Sequence, residues 1–121
     1  MIKSSNYRDL IVWQKALDLS VYIYQLVYLL PSEEKFVLSD QMRRCAVSVP
    51  SNIAEGVGRG TEKETIRFLY ISKGSLCELD TQLEICKRLN FISEEHFNNL
   101  QSDILEIKKM LESLISYRSN Y

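Results

Sequence analysis

Glycine and proline are scarce in this sequence, which has four glycines and two prolines among 121 residues. A small all-β protein needs many tight turns, and these two residues supply much of the material for them, so the composition argues against that class. The chain is 45% apolar and 26% charged, as ordinary globular proteins are, which excludes a disordered or collagen-like chain. We expect residues 1–121 to form a single domain, because the length suits one.

Residues that could bind a metal or act as a catalytic histidine are also scarce in the sequence. The chain has one histidine, His96, and three cysteines without CxxC spacing. A structural zinc site uses four such ligands, and we expect neither a metal nor a cofactor. A serine or cysteine nucleophile would have to use His96, which we expect to be solvated in the first turn of the last helix. We therefore expect a protein that is not an enzyme.

Long apolar runs and a strong net charge are absent as well. No run approaches the ~20 residues that span a bilayer, and the first residues carry no apolar signal-peptide core. We expect no membrane partner and a cytoplasmic location. Fifteen basic against sixteen acidic residues give a net charge of −1, whereas a domain that binds nucleic acid by bulk charge is usually far more basic. Nucleic-acid binding would need a local patch or several assembled chains.

The sequence does contain four amphipathic segments, at residues 10–30, 39–57, 62–89 and 94–117. In each segment apolar residues recur at intervals of three and four, which is the spacing of one helix face. Short connections join the segments. The pattern predicts an all-α fold, an antiparallel up-and-down four-helix bundle.

Residues that can cap a helix precede these segments, namely Asp9, Ser39, Thr61 and Ser93. Their side chains can accept hydrogen bonds from the free amides of a first helical turn. Pro50 lies inside the second segment, where it removes a backbone hydrogen bond. We expect a kink at Pro50 or a helix that restarts there.

The apolar surface exceeds what one bundle needs. The first helix carries a second apolar stripe beside its main one, and the third helix has apolar residues outside its main stripe. The aromatic and aliphatic residues in excess are Tyr22, Tyr24, Tyr28, Phe68, Tyr70 and Ile71. This excess predicts a homo-oligomer with aromatics at the subunit interface. The alternative is a monomer whose wide stripes reflect tight packing.

One row of polar residues follows a single face of the second helix, at intervals of four, four, three and four. Its members are Arg44, Ser48, Asn52, Glu55 and Arg59. Ser75 and Glu78 of the third helix are the candidate partners of this row. We interpret the row as a structural polar network. A contact with a ligand or nucleic acid is the alternative.

Basic residues outnumber acidic ones by six to three between residues 41 and 73. The candidate nucleic-acid contacts are Arg43, Arg59, Lys63 and Arg67, which we place around the turn between the second and third helices. The N-terminus of the third helix would also favour an anion there. Ordinary mixed surface charge is the alternative. The glycine-rich stretch 56–61 superficially resembles a phosphate loop, but no strand precedes it, so we interpret it as a helix end and a turn.

Three stretches resemble one protein family. They are DLIVWQKA at residues 9–16, QMRRCAVSVPSNIAEG at 41–56 and FLYISKGSLCEL at 68–79. Together they are similar to the motifs of four-helix-bundle proteins of the ribosomal-RNA intervening-sequence type, with Cys45 and Ser72 standing where that family usually has alanine. The resemblance implies a ring-like homopentamer without established enzymatic activity. It also implies a relation to the accessory protein of diversity-generating retroelements, a pentamer that binds a reverse transcriptase and nucleic acid.

Two functional hypotheses follow. The first is a non-catalytic oligomeric binding module for RNA or DNA, based on the basic surplus and the resemblance. The second is a protein-binding scaffold, such as an accessory subunit of a reverse transcriptase, based on the aromatic excess. The physiological role and the identity of the ligand lie beyond the sequence.

Overall fold

Four α-helices account for most of the chain in the computed structural model, which describes residues 6–120. They are α1 (Ile11–Leu26), α2 (Leu38–Gly58), α3 (Glu62–Arg88) and α4 (Glu94–Ser119). Short 3-10 turns lie on both sides of α1, and residues 6–120 contain no strand. The predicted all-α four-helix fold is confirmed.

Two of the four predicted caps are confirmed. The side chains of Thr61 and Ser93 accept hydrogen bonds, at 3.2 and 3.1 Å, from the third backbone amides of α3 and α4. The other two predictions are wrong. Asp9 lies in a 3-10 turn, and Leu10 takes the N-cap position of α1 without a side-chain acceptor. Ser39 is a buried residue inside the first turn of α2.

The first helix ends earlier than its apolar pattern predicts. Its α-helical part stops at Leu26, and a 3-10 turn continues over Val27–Leu29. Leu30 is extended, with φ −74° and ψ 152°, because it precedes Pro31 and the proline ring disfavours helical geometry at that position. Leu30 nevertheless remains buried, so the apolar pattern identifies the core side of the segment beyond the end of the helix.

Pro50 lies within a single continuous helix, so the predicted restart at this residue is wrong. A proline has no amide hydrogen, which deprives the Ala46 carbonyl of its usual partner four residues ahead. Ser20 of α1 supplies the missing donor, because its hydroxyl lies 2.9 Å from the Ala46 carbonyl oxygen. The same hydroxyl lies 2.9 Å from the Ala16 carbonyl, so one proton serves two acceptors. A buried hydroxyl on the neighbouring helix thus compensates for the proline.

Helices α2 and α3 approach closely at Gly56. A Cβ atom added to this glycine would lie 2.7 Å from the Phe68 Cβ and 3.0 Å from the Thr65 carbonyl oxygen. Because the two helices are so close, the Thr65 hydroxyl can donate a hydrogen bond of 2.7 Å to the Gly56 carbonyl. Further along the pair, the Ser72 hydroxyl donates to the Val49 carbonyl at 2.8 Å.

The connection between α2 and α3 is only three residues long. Gly56 and Gly58 belong to α2, and Gly60 forms the turn with φ +88°, a conformation that favours glycine. Thr61 then caps α3. The glycine-rich stretch is therefore a helix end, a turn and a cap.

Each helix packs against its neighbours in sequence, and α4 also packs against α1. Helices α1 and α4 run in opposite directions, since Lys15 pairs with Glu106 at 3.0 Å while Tyr22, later in α1, reaches back to His96. Helices α3 and α4 do so too, since Glu62 pairs with Arg118 at 2.7 Å and Lys73 with Glu112 at 2.9 Å. The fully buried side chains at the centre include Ala16, Ile23, Met42, Val49, Ile53, Leu69, Leu76, Leu79, Leu83, Leu100 and Leu111. Among residues 6–120, no helix combines the length and the apolar character needed to cross a bilayer.

The Gly56→Ala variant should be less stable than the wild type, because its methyl group has no room against α3. We expect the free energy of unfolding to fall by about 1–3 kcal/mol, the usual cost of overpacking. Urea denaturation followed by circular dichroism measures it.

Gly74→Ala is the matched control, since Gly74 is also helical but has open space around its Cα. This variant should be more stable by about 0.5–1 kcal/mol, because alanine favours the helix. Equal effects of the two substitutions would contradict the close approach at Gly56.

Candidate functional site

A compact polar cluster joins α2 to α3 on the outer side of the bundle. The hydroxyls of Ser48 and Ser75 lie 2.7 Å apart. The Asn52 side-chain amide donates to the Ser48 carbonyl at 2.8 Å and contacts the Ser48 hydroxyl at 2.9 Å. All three residues are half-buried. The structure thus brings together three of the residues assigned to the polar network, and their polar groups are paired with one another across the two helices.

The charged members of the predicted row lie apart from this cluster. Arg44 donates to Asp40 at 3.1 Å, and Glu55 accepts from Arg59 at 2.8 Å. Both are pairs four residues apart on the exposed side of α2, and the Arg44 side chain is 79% exposed. Exposed pairs of this kind contribute little to stability. The row therefore divides into a polar cluster between helices and two surface ion pairs.

Glu78 lies near Cys45. Burial, together with the neighbouring Glu78 carboxylate, raises the pKa of the Cys45 thiol to about 12. The thiol donates to the Ser75 carbonyl at 3.0 Å. Burial also raises the pKa of Cys86 to about 11, and its thiol lies 3.6 Å from the Met42 sulfur. Both thiols stay protonated at neutral pH, which makes them packing groups rather than nucleophiles.

Three of the four candidate nucleic-acid contacts lie together at the turn between α2 and α3. Arg59 and Arg67 place their guanidinium groups 4.8 and 4.6 Å from the centre of the Phe68 ring. Arg67 also donates to Glu64 at 3.0 Å and lowers the pKa of that carboxyl. Lys63 is exposed on the same turn of α3. We call Arg59, Lys63 and Arg67 the turn cluster.

Phe68 is the member of this site that the sequence analysis missed. It was counted only as surplus apolar surface, yet its ring is nearly buried and holds two guanidinium groups. Cation–π contacts of this kind orient arginines without neutralising them. The adjacency of Arg67 and Phe68 was visible in the sequence, but the approach of Arg59 depends on the packing of α2 on α3.

The predicted placement of Arg43 at this turn is wrong. It lies near the start of α2, sixteen residues and therefore about 24 Å from Arg59 along the helix. Its guanidinium donates to the Lys35 carbonyl at 3.3 Å, in the connection that follows α1. Arg43 therefore belongs to the opposite end of the bundle from the turn cluster.

The prediction that His96 is solvated is also wrong. Its ring is half-buried, and its Nδ1 lies 2.9 Å from the Tyr22 hydroxyl of α1. The pair ties the start of α4 to α1. Tyr22 is consequently part of the bundle rather than of the surplus aromatic surface.

Exposed apolar residues lie along one side of α1 and the adjoining side of α2, and Tyr24 is the member of the predicted excess among them. Leu17, Val21 and Tyr24 follow one another at intervals of four and three and are exposed. Val47 of α2 is exposed beside them, and it shares a cleft with Trp13 and Leu17. We call Leu17, Val21, Tyr24 and Val47 the α1–α2 face. On another helix, α3, the isoleucines Ile71 and Ile85 are also exposed.

The Asn52→Ala variant tests whether the polar cluster stabilises the fold. It removes a donor that serves two acceptors on Ser48. We expect the free energy of unfolding to fall by about 1–3 kcal/mol, as for other half-buried hydrogen bonds. Asn98→Ala on the exposed side of α4 is the matched control and should change stability by less than about 0.5 kcal/mol. Unchanged stability of Asn52→Ala, together with lost ligand binding, would make the cluster a recognition site instead.

Comparison with known proteins identifies the family. The family described as the 23S rRNA-intervening sequence protein matches residues 8–113. A crystal structure of a protein of unknown function from the S23 ribosomal protein family of Bacteroides thetaiotaomicron is 32% identical in sequence, with a TM-score of 0.81. The similarity covers 88% of this chain and 96% of that one. No curated protein matches the chain. The chain therefore belongs to the 23S rRNA-intervening sequence protein family.

Proposed function

We propose that this protein is a non-catalytic module that assembles with copies of itself and binds nucleic acid as an assembly. The observation that carries the proposal is the α1–α2 face. Contiguous exposed apolar surface marks interaction sites on soluble proteins, because leaving it in water is costly. Val21 is 58% exposed although its neighbours one turn before and after it along the same side are also apolar.

Exposed apolar side chains on α3 support a ring. Tyr70 and Ile71 lie on a different helix from the α1–α2 face, so one copy can present its α1–α2 face to this part of α3 in the next copy. Contacts between two different surfaces propagate from copy to copy and close into rings when the rotation permits. The resemblance of the sequence motifs supplies five as the expected number of copies.

The turn cluster is the proposed nucleic-acid contact. Arg59 and Arg67 are paired with carboxylates on their own helices, but exposed pairs are weak and a phosphate can replace the carboxylate. The N-terminus of α3 at the same place adds amide dipoles that favour an anion. One chain offers few such contacts, so affinity depends on an assembly that repeats the cluster.

A protein-binding scaffold is the second candidate, for example an accessory subunit of a reverse transcriptase. The α1–α2 face favours it, because the same apolar side chains can pack against a different protein. In that case the exposed face would be covered by the partner, and the isolated chain would be monomeric.

We expect light scattering at micromolar concentration to give the mass of several chains, most simply five. Val21→Glu should shift the mass toward 14.1 kDa, because a buried carboxylate at the interface is unpaired. Leu105→Glu on α4 is the matched control, since Leu105 is equally apolar and 51% exposed but lies outside both surfaces. A wild-type mass of one chain would refute self-assembly.

Nucleic-acid affinity should fall steeply with salt between ~50 and ~200 mM, because each phosphate contact releases counterions. Lys63→Ala should lower the slope of log affinity against log salt by about 0.9 or more on duplex DNA, and by about 0.7 or more on single strands. Fluorescence anisotropy measures the slope, and light scattering checks that the variant still assembles. Lys109→Ala, a change to an exposed lysine of α4, should leave the slope unchanged.

Absence of binding to RNA and DNA at low salt would favour the scaffold. A mass increase on adding a protein partner, lost in Val21→Glu, would then identify the α1–α2 face as its docking surface.

A further inference from the structure

A cleft of about 540 Å³ opens where α1 runs into the connection to α2. Tyr24 and Tyr28 form part of its wall, and Lys35 and Arg43 supply charged groups. Pockets of this size, mostly apolar with a few polar groups, are typical of sites for small molecules and cofactors. The cleft lies at the opposite end of α2 from the turn cluster.

The charge of the cleft is positive. Lys35 and Arg43 line it, and none of the described residues in its wall is acidic. Asp40 lies 4.0 Å from Arg43, but its hydrogen bond of 3.1 Å goes to Arg44. Because one Asp40 carboxylate faces two guanidinium groups, the net charge of the three side chains is positive. The hydrogen bond from Arg43 to the Lys35 carbonyl keeps the Arg43 guanidinium at the wall of the cleft.

Two acidic residues, Glu33 and Glu34, precede Lys35 in the connection, but neither is part of the wall of the cleft. An anionic occupant is therefore favoured over a cationic one.

Aromatic rings at the same place are unusually exposed. Tyr28 is 88% exposed and the neighbouring Phe36 is 83% exposed, with the Lys35 amine 5.3 Å from the centre of the Phe36 ring. Packing of the bundle does not account for either ring, because each leaves most of its surface in water. Proteins that bind single-stranded nucleic acid combine aromatic rings, on which the bases stack, with cations that contact the phosphates.

We infer that this cleft binds one nucleotide unit, with the base against Tyr28 and the phosphate between Lys35 and Arg43. The inference rests on the proposed function in one respect only, namely that the unit can belong to a bound single strand. A free nucleotide offers the same chemistry. The cleft is a second contact, distinct from the turn cluster, and it adds a stacking component to a purely electrostatic one.

Isothermal titration of the full chain with adenosine monophosphate, adenosine and inorganic phosphate tests the inference. The monophosphate should bind at least about tenfold more tightly than adenosine or phosphate alone, because only it engages both the rings and the cations. An oligoadenylate that binds more tightly than the monophosphate assigns the unit to a single strand. Equal affinity assigns it to a free nucleotide.

Two variants locate the site. Tyr28→Ala and Arg43→Gln should each weaken monophosphate binding by about tenfold, the loss expected when a stacking ring or a charged hydrogen bond is removed. Tyr70→Ala and Arg44→Gln are the matched controls, since Tyr70 is an exposed tyrosine on α3 and Arg44 is the neighbouring arginine outside the cleft. The controls should bind as the wild type does.

The inference fails if the monophosphate does not bind, or if the controls and the cleft variants weaken binding equally. It also fails if Tyr28→Ala changes the number of assembled chains, because the cleft is then an interface between copies. The mass of the assembly and the salt slope of Lys63→Ala are measured independently, so the proposed function can stand when the cleft does not bind.

Discussion

Helices α2 and α3 approach each other at Gly56 with no room for a methyl group, and the other features of this pair depend on that distance. The short separation lets Thr65 and Ser72 donate hydrogen bonds directly to α2 carbonyls. It also sets the contact of Ser48 with Ser75 at 2.7 Å. Small residues at helix contacts let the backbones come together, and polar groups between them then need partners. The polar cluster is therefore a consequence of close packing as much as a cause of it.

The same approach positions the turn cluster. Arg59 follows the end of α2, and it reaches Phe68 of α3 only because the two helices are close there. Arg67 covers the same ring from its own helix. Two guanidinium groups are thus held against one ring near the start of α3, whose amide dipoles also favour an anion. The proposed nucleic-acid contact and the packing of α2 on α3 therefore depend on the same close approach of the two helices.

Several features could be predicted from the sequence because they depend on local spacing. The helix faces, the caps Thr61 and Ser93 and the position of the core follow from periodicity and capping chemistry. The pairing of Arg44 with Asp40 could also have been anticipated from its spacing of four residues. Features that depend on contacts with a second helix could not be predicted from the sequence. Examples are the hydrogen bond from Ser20 that compensates for Pro50 and the bond between Tyr22 and His96. The error on Arg43 has a different origin, since grouping residues by charge ignored the length of α2.

The central claim is that nucleic acid is bound by an assembly of chains rather than by one chain. Native mass spectrometry of the protein mixed with a short single-stranded RNA tests it most directly, because it reads the number of chains and the presence of RNA in the same ion. The account predicts RNA on species of several chains and none on the single chain of 14.1 kDa. RNA carried by single chains, in proportion to their abundance, would contradict it.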